Sequence, residues 1–276
     1  TIEVTYKGDS FDDFSAEYSG EVIIPETVVY KSKVLKVTRI GSSAFSDCPS
    51  LTNVAIGNSV TSIGGSAFSD CSSLTSIEIP NSVTSIGGSA FEGCTGLTSV
   101  TIGSGVTSIG NGAFNNCTSL KDLRIEDGEG TLSLGYNYRN NSGVGVGEGL
   151  FYDCPLETLY LGRNLSYNTS SAYGHSPFYK KTTLTSVTIG SSVTSIEDYV
   201  FRNCSSLESV TIGNSVFDDC KKLTSATLPS SLRSIGVCAF YNCESLTSIT
   251  IPSGITALAN DLFYNCKSLT SVTLPS

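Results

Sequence analysis

A unit of 23 residues recurs along most of this chain, and it constrains the fold more than any other feature. The stretches that begin at Leu51, Leu74 and Leu97 are closely similar, and the second of them reads LTSIEIPNSVTSIGGSAFEGC. The common pattern is L-x-x-[VI]-x-[IL]-[PG]-x-S-V-T-S-I-G-x-x-A-F-x-x-C-x-x. Self-similarity at a fixed period of roughly 20 to 50 residues is the signature of stacked structural repeats.

Ten units align on this pattern. Its first leucine recurs at Leu51, Leu74, Leu97, Leu120, Leu156, Leu184, Leu207, Leu223, Leu246 and Leu269. Its phenylalanine recurs at Phe45, Phe68, Phe91, Phe114, Phe151, Phe178, Phe201, Phe217, Phe240 and Phe263. A single unit cannot bury its own apolar side chains, so the units must stack and share one continuous core.

Each part of the unit predicts a local structure. The segment L-x-x-V-x-I alternates as a short strand does, and the Pro or Gly after it ends that strand. We expect a second extended piece at V-T-S-I, a turn at Gly and one short helical turn at A-F-x-x-C. The second residue after the phenylalanine is Asp, Asn or Gly in every unit except that of Lys180, and these residue types tolerate the left-handed conformation that ends a helix. The pattern therefore predicts an α/β repeat with a parallel sheet; the rival fold is a parallel β-helix, which the A-F-x-x-C turn disfavours.

The repeated SIGxxAFxxCxxLTSVTIP-type strings cover about residues 37–276 and resemble the BspA-like branch of the leucine-rich repeats. The resemblance implies a curved, right-handed leucine-rich-repeat solenoid. It also implies a secreted or cell-surface protein of a mucosal anaerobe or protist, with adhesion to host macromolecules as its role.

Residues 1–36 do not follow the repeat. The strand-like stretches TIEVTYKGD and GEVIIPETVVY flank a polar, acidic region, and we expect a β-rich N-terminal cap there, with the solenoid at 37–276. The absence of Met suits a mature chain whose export signal has been removed. The sequence stops at Pro275-Ser276, directly after a first strand, so either it is cut short or the last edge of the core is poorly covered.

Three intervals between repeat leucines depart from 23 residues. Leu120 to Leu156 spans 36 and Leu156 to Leu184 spans 28, which predicts enlarged loops at 126–150 and 162–177. Insertions in repeat proteins map to loops, often on a binding face. The interval from Leu207 to Leu223 is only 16 because T-S-I-G-x-x-A is missing, so we expect a break in the second-strand ladder near residues 213–217.

The net charge of −9 and the lack of any Lys/Arg run make nucleic acid and anionic membranes poor partners, and no apolar run is long enough to insert into a bilayer. Nine of the ten cysteines follow a repeat phenylalanine by three residues: Cys48, Cys71, Cys94, Cys117, Cys154, Cys204, Cys220, Cys243 and Cys266. That number is odd, and one unit carries Lys181 instead, so we predict a ladder of reduced structural thiols, with disulfides or metal ligation as the alternatives. Cys238 lies off this register.

Catalytic signals are weak. His175 is the sole histidine and lies in the loop SAYGHSPF without a neighbouring carboxylate, which favours a surface or binding position over catalysis. The acidic run Glu126 to Glu129 favours a solvated loop, with a Ca²⁺ site as the alternative. We therefore expect no catalytic residue, cofactor or metal.

A bias in tyrosine and arginine is the strongest functional signal. Seven of the thirteen tyrosines fall between Tyr136 and Tyr179, and interface hot spots are rich in Tyr and Arg. Outward positions of the first strands are usually Ser or Thr, but next to the insertions they include charged and aromatic residues. The candidate binding residues are Asp122, Arg124, Tyr136, Tyr138, Arg139, Tyr160, Arg163, Tyr167, Tyr173 and His175. The competing interpretation is that the tyrosines only fold the loops onto the solenoid.

Together these observations favour a non-catalytic binding or adhesion module at the cell surface, with a host or neighbouring-cell protein or glycan as its partner. A structural surface spacer is the second hypothesis, although it predicts uniform units. A β-helix polysaccharide hydrolase or lyase is the third, and it requires converging carboxylates that the repeat positions do not supply.

Overall fold

The computed structural model describes residues 2–4, 18–137, 148–167, 176–190, 192–193, 200–207, 209–211, 217, 219–228, 235 and 237–274. The chain divides into two compact units. The first unit comprises Thr1–Lys121 and Ser133–Cys154, and the second comprises Asp122–Leu132 and Pro155–Ser276. The expected division into a cap at 1–36 and a solenoid at 37–276 stays a prediction.

Short strands are the regular elements of the described residues. In chain order they are β1 Ile2–Val4, β2 Gly20–Ile24, β3 Thr27–Tyr30, β4 Lys33–Ile40, β5 Leu51–Ile56, β6 Ser62–Ile63, β7 Ser76–Ile79, β8 Ser85–Ile86, β9 Ser99–Ile102, β10 Ser108–Ile109, β11 Asp122–Ile125, β12 Thr131–Leu134, β13 Tyr136–Asn137, β14 Glu148–Gly149, β15 Thr158–Leu161, β16 Asn164–Ser166, β17 Ser186–Ile189, β18 Ser209–Thr211, β19 Ser225–Thr227, β20 Ser248–Thr250 and β21 Ser271–Thr273. No helix occurs among these described residues, and so none of them forms a helix long and apolar enough to cross a membrane.

The first unit contains both predicted extended pieces of the repeat. Strands β7 and β9 are first strands and pair in parallel, while β4, β6, β8 and β10 form a parallel ladder with β1 at one edge. In that ladder Ile63 lies opposite Ile86, which in turn lies opposite Ile109, and each of the three is 2% exposed. The parallel sheet and the second extended piece are confirmed.

The N-terminal strands continue the strand pairing of the first unit. Strand β1 pairs in parallel with β4, and β2 pairs in parallel with β5. Strands β3 and β4 form an antiparallel hairpin whose two turn residues, Lys31 and Ser32, have φ angles of 45° and 61°. The segment is rich in strands as expected, but its role as a cap stays a prediction, and residues 5–17 lie outside the described residues.

In the second unit, β11, β15, β17, β18, β19, β20 and β21 form one parallel sheet of first strands. Leu123, Leu159 and Val187 lie side by side on neighbouring strands, with exposures of 2%, 3% and 1%. Because side chains alternate across a strand, the residues between these positions face outward. This alternation decides which residues are available for recognition.

The A-F-x-x-C segment is not the expected helical turn. Alternate amide groups of the segment bond to the next repeat: Ser66 N donates to Gly88 O at 2.9 Å, and Phe68 N donates to Ala90 O at 2.8 Å. The amides between them donate within their own repeat, Ser69 N to Ser66 O and Cys71 N to Phe68 O. The turns therefore form a third backbone ladder along the stack. A helix would have directed the same N–H groups along its own axis.

Left-handed residues on both sides of the phenylalanine produce this geometry. The expected position, two residues after it, has positive φ at Asp47, Asp70, Gly93, Asn116, Lys180, Asn203, Asp219, Asn242 and Asn265. The position two residues before it has positive φ as well, at Ser43, Ser66, Ser89, Gly112, Cys238 and Asp261. A helix needs consecutive right-handed residues, so a left-handed residue on each flank prevents one from forming.

The repeat phenylalanines form the centre of the core. Phe91 is 0% exposed and stacks between Phe68 at 5.3 Å and Phe114 at 5.4 Å between ring centroids. The buried members of the set are Phe45, Phe68, Phe91, Phe114, Phe151, Phe178, Phe201, Phe217 and Phe240. Their predicted burial is confirmed. Of the ten repeat phenylalanines, only Phe263 in the last repeat is half-buried.

The short repeat keeps its place in this column. Phe217 stacks on Phe201 at 5.5 Å and lies 5.7 Å from Phe240. The predicted break in the second-strand ladder near residues 213–217 stays a prediction, because only Phe217 of that stretch is among the described residues.

All the ladder cysteines except Cys48 donate their S–H groups to backbone carbonyls of the preceding repeat. Cys94 Sγ lies 3.1 Å from Phe68 O, and Cys117 Sγ lies 3.2 Å from Phe91 O. All ten cysteines are within the described residues, and none of them forms a disulfide there. Burial raises the pKa of the Cys94 and Cys204 thiols to about 12. The thiols therefore stay protonated and act as packing groups.

We predict that alkylation at pH 8 distinguishes folded from unfolded protein. In the folded state the eight buried cysteines should not react, because burial keeps the reagent away from all of them. Burial also raises the pKa of the Cys71, Cys94, Cys117 and Cys204 thiols, and only a thiolate is nucleophilic. In denaturant without an oxidant, all ten should be modified. Intact-mass spectrometry counts the added groups, and recovery of four or five disulfides would contradict the reduced ladder.

Candidate binding surface

The predicted residues Asp122, Arg124 and Tyr160 come together on two neighbouring strands of the second unit. Asp122 and Arg124 occupy outward positions of β11, and Tyr160 occupies an outward position of β15. Strand register places Asp122 opposite Thr158 and Arg124 opposite Tyr160. Directly opposite residues on one face of a sheet are close enough for their side chains to interact.

The guanidinium of Arg124 stacks on the Tyr160 ring. Its central carbon lies 3.9 Å from the ring centroid, the arrangement of a cation–π contact. Glu126 holds the same guanidinium in place, with Nε to Oε1 at 2.7 Å and Nη2 to Oε2 at 3.1 Å. The hydrogen bonds to Glu126, more than any other cause, raise the pKa of Arg124. Planar two-point contacts of this kind orient an arginine side chain.

Two further carboxylates complete the arrangement. The Tyr160 hydroxyl donates to Asp127 Oδ2, and this hydrogen bond is the main cause that raises the pKa of Tyr160. The Thr158 hydroxyl donates to Asp122 Oδ1. The six residues Asp122, Arg124, Glu126, Asp127, Thr158 and Tyr160 are named here the Arg124–Tyr160 platform.

Glycine makes room for the phenol end of the platform. A Cβ atom at Gly190, which follows the neighbouring strand β17, would lie 2.9 Å from the Tyr160 hydroxyl and closer still to Asp127 Oδ1. A side chain at that position would displace the Tyr160–Asp127 hydrogen bond. The platform is therefore fitted to the adjoining repeat as well as to its own two strands.

The platform is a surface of fixed polar groups. The side chain of Arg124 is 45% exposed and that of Glu126 is 31% exposed. Leu123 and Ile125, which alternate with the exposed residues of β11, are 2% and 0% exposed. Because the apolar residues of the strand lie in the core, the outward residues are held on a rigid support.

Arg163 was predicted to be a binding residue at the surface, but the structure buries it. Arg163 is 1% exposed, and burial lowers the pKa of its guanidinium. It lies between Gly162 and the first residue of β16, and it packs inward instead of projecting from the loop at 162–177. Loop composition alone does not show which way a long side chain points, and a basic side chain can extend its methylene groups through apolar surroundings.

The remaining candidates are not part of the platform. Tyr136 is half-buried in β13 of the first unit, where its amide donates to Asn111 Oδ1 at 3.2 Å. Tyr167 is half-buried at the end of its described stretch in the second unit. Tyr138, Arg139, Tyr173 and His175 lie outside the described residues, and their roles stay predictions.

Metal ligation was an alternative for the acidic and cysteine residues. Within the described ranges, no group of three or more His, Cys, Asp or Glu side chains converges in a way that could hold a metal ion. Asp127 and Glu126 are instead engaged by Tyr160 and Arg124.

A pair of stacked tyrosines was missed by reasoning from the sequence. Tyr241 and Tyr264 each follow a repeat phenylalanine, and their ring centroids lie 4.6 Å apart. The residue after the phenylalanine is Ser, Ser, Glu and Asn in the first four units but Tyr in four of the last six. Comparing that position along the repeats would have found the pair.

The repeat region of this chain is similar to known leucine-rich repeat proteins. The sequence profile of the BspA type leucine rich repeat region matches in six copies, over residues 38–141, 139–216 and 210–276. A leucine rich cell surface protein from Faecalibacterium prausnitzii is 23% identical over 97% of this chain and 92% of its own, with a TM-score of 0.39. A leucine-rich repeat protein from Bacteroides ovatus is 25% identical over 100% of this chain and 85% of its own, with a TM-score of 0.40.

The T. pallidum leucine rich repeat protein is 21% identical over 83% of this chain and 78% of its own, with a TM-score of 0.36. No curated protein matches the chain. The profile match extends over well more than half of the residues and coincides with the observed repeats. The chain therefore belongs to the BspA-type leucine-rich repeat family.

Proposed function

We propose that this protein is a non-catalytic binding or adhesion module that works at the cell surface and recognises a protein or glycan partner. The observation that carries the proposal is the Arg124–Tyr160 platform, where a cation stacks on an aromatic ring in a sheet whose following strands present Ser and Thr outward. Tyr and Arg supply large contact area and planar donors to binding sites. The enlarged loops at 126–150 and 162–177 are proposed to extend this surface.

Preorganisation supports a binding role for the platform. Each of its carboxylates already accepts a hydrogen bond from a platform side chain, so the groups need little reordering when a partner arrives. Binding is stronger when side chains do not lose freedom on association. The same internal hydrogen bonds fix the carboxylates for recognition.

A screen against matrix proteins and glycans identifies the partner, and one variant then tests the platform. Arg124→Ala should weaken binding by about 2 kcal/mol or more, which is the usual size of a hot-spot effect. Arg39→Ala is the matched control, because Arg39 is also exposed on a strand but lies in the first unit. Affinity is measured by calorimetry, and equal affinities of Arg124→Ala and wild type would contradict the proposal.

A second experiment tests the loops. Each enlarged loop is replaced by the short turn of a regular repeat, Gly57 to Ser66. Loop closure entropy changes slowly with length, so the trimmed proteins should fold. Loss of binding in a folded, trimmed protein supports the proposal. Unchanged affinity in both trimmed proteins would place the site elsewhere, along the Ser/Thr sheet face.

A further inference from the structure

Asn111 and Gly112 form the one Asn-Gly pair in the sequence, and they lie in the turn that follows β10 in the first unit. An asparagine that precedes glycine can lose its side-chain amide without an enzyme, because the backbone nitrogen of the glycine attacks Cγ of the asparagine. Glycine favours this attack because it has no Cβ atom to hinder the nitrogen and because its backbone is flexible. The pair is therefore the position of this chain that is chemically most prone to deamidation.

The structure engages both reacting groups with a single residue of the insertion at 126–150. Asn111 Oδ1 accepts a hydrogen bond from Tyr136 N at 3.2 Å, and Gly112 N donates to Tyr136 O at 2.8 Å. Tyr136 is the first residue of β13, which pairs with β14 in antiparallel fashion, and these two strands precede and follow residues 138–147. The Asn-Gly pair therefore docks the base of the insertion onto a regular repeat.

This docking opposes the reaction at the attacking nitrogen. An amide nitrogen becomes a nucleophile only after it loses its proton, and Gly112 is buried with its N–H bonded to a carbonyl oxygen. Burial and hydrogen-bond donation both favour the neutral N–H over the anion. Further backbone hydrogen bonds hold the pair, from Ser89 N to Asn111 O at 2.9 Å and from Asn115 N to Gly112 O at 2.9 Å. Reaction therefore requires a local opening that releases Tyr136.

We propose that Asn111 is a site of spontaneous deamidation that the docked strand β13 keeps closed. Once Tyr136 is released, Gly112 N loses its proton to hydroxide and forms a bond to Asn111 Cγ. The bond from Cγ to Nδ2 breaks, and Nδ2 leaves as ammonia after taking a proton from water, which restores the hydroxide. Water then opens the cyclic imide at either carbonyl and gives aspartate or isoaspartate. The reaction involves none of the residues of the Arg124–Tyr160 platform.

Isoaspartate at position 111 makes the release of β13 irreversible. Its main chain runs through the former side chain and is one carbon atom longer, whereas backbone dimensions are otherwise fixed. The hydrogen bonds to Tyr136 O and from Ser89 N both depend on the ordinary spacing of this turn. The two contacts cannot re-form together after the conversion, so the strand stays undocked.

The test compares the full chain in buffer and in guanidinium chloride, kept at pH 8 for the same time. Peptide mass spectrometry measures the conversion of Asn111, and enzymatic methylation detects isoaspartate. We expect conversion in the unfolded chain and a rate about tenfold lower or less in the folded chain, because local opening limits the reaction there. Asn111→Gln should abolish the signal, because the longer side chain must close a larger ring, and this variant verifies the assignment.

Gly135→Ala tests whether docking is the gate. A Cβ atom at Gly135 would lie 2.6 Å from both Asn111 N and Asn111 Oδ1, so alanine pushes this segment away from Asn111. The folded variant should convert several-fold faster than wild type. Gly64→Ala is the matched control, because its added Cβ atom meets Ser42 and Gly41 of the same unit instead, and it should convert at the wild-type rate. Circular dichroism verifies that both variants are folded.

Hydrogen exchange measures the consequence of the conversion separately. Protein that is converted in denaturant and then refolded should exchange the Tyr136 amide faster than unconverted protein treated in the same way. Equal exchange in the two samples would overturn the irreversible release. No conversion in denaturant, equal rates in the folded and unfolded chain, or a wild-type rate in folded Gly135→Ala would overturn the proposed site or its gate. If Gly135→Ala does not fold, the comparison of folded and unfolded wild type decides.

Discussion

Replacing Phe91 by alanine is expected to lower the free energy of unfolding by about 3–5 kcal/mol. The Phe91 ring is fully buried and stacks on a phenylalanine of each neighbouring repeat. Its removal leaves a cavity between Phe68 and Phe114 that the backbone ladders on both sides prevent from closing. The loss is measured by urea denaturation followed by circular dichroism.

Tyr30→Ala is the control for this experiment. Tyr30 is also aromatic but 59% exposed, so its truncation should change stability by no more than about 0.5 kcal/mol. If Phe91→Ala unfolds at the same urea concentration as wild type, the repeat register assigned to the core is wrong.

Replacing Gly64 by alanine is expected to destabilise the fold by about 3 kcal/mol, at the upper end of the usual cost of overpacking. A Cβ atom at Gly64 would lie 2.5 Å from Ser42 N and 2.6 Å from Gly41 C. These are backbone atoms of the preceding repeat, held by the hydrogen bond from Gly64 N to Ile40 O at 2.8 Å. They cannot move aside as a flexible side chain would.

The next residue provides a matched control. A Cβ atom at Gly65 meets nothing nearer than Gly88 O at 3.4 Å, which is an ordinary contact. Gly65→Ala should therefore be neutral or stabilise by up to about 1 kcal/mol, because alanine restricts the unfolded chain. Thermal and urea unfolding of the two variants give the comparison, and equal stabilities would show that the close approach of the repeats does not require Gly64.

The core residues could be predicted from the sequence because the residues that recur at one position of the repeat are the buried ones. A period of 23 residues places each leucine, phenylalanine and cysteine beside its equivalent, so the burial of Leu74, Phe91 and Cys94 at 0% exposure follows from stacking alone. The parallel pairing of the strands follows for the same reason. Inference was strongest where one residue type recurs at one position.

The turn was harder to predict because its geometry depends on contacts between repeats. Ser66 and Cys238 have left-handed φ angles of 52° and 57°, although neither residue type favours that conformation. The hydrogen bonds to the adjacent repeat stabilise it. Gly64 was attributed to a turn, whereas the structure shows that it permits the close approach of two backbones.

The candidate site was predicted in part. The outward positions of Arg124 and Tyr160 followed from strand alternation, and the structure brings them together. Arg163 occupies the variable position after Gly162, where the equivalent residues Asn58 and Asn81 are exposed, and the pattern did not predict its burial. The hydrogen bonds of Glu126 and Asp127 depend on side-chain orientations in a loop that no repeat constrains.

Hydroxyl-radical footprinting of the protein with and without its screened partner tests the binding role of the Arg124–Tyr160 platform most directly. Exposed tyrosines are oxidised readily, so mass spectrometry of the peptides reports which side chains the partner covers. We expect that oxidation of Tyr160 falls on binding, while oxidation of the exposed Tyr30 in the first unit does not. Unchanged oxidation of Tyr160 at saturating partner, with protection at other residues, would contradict it.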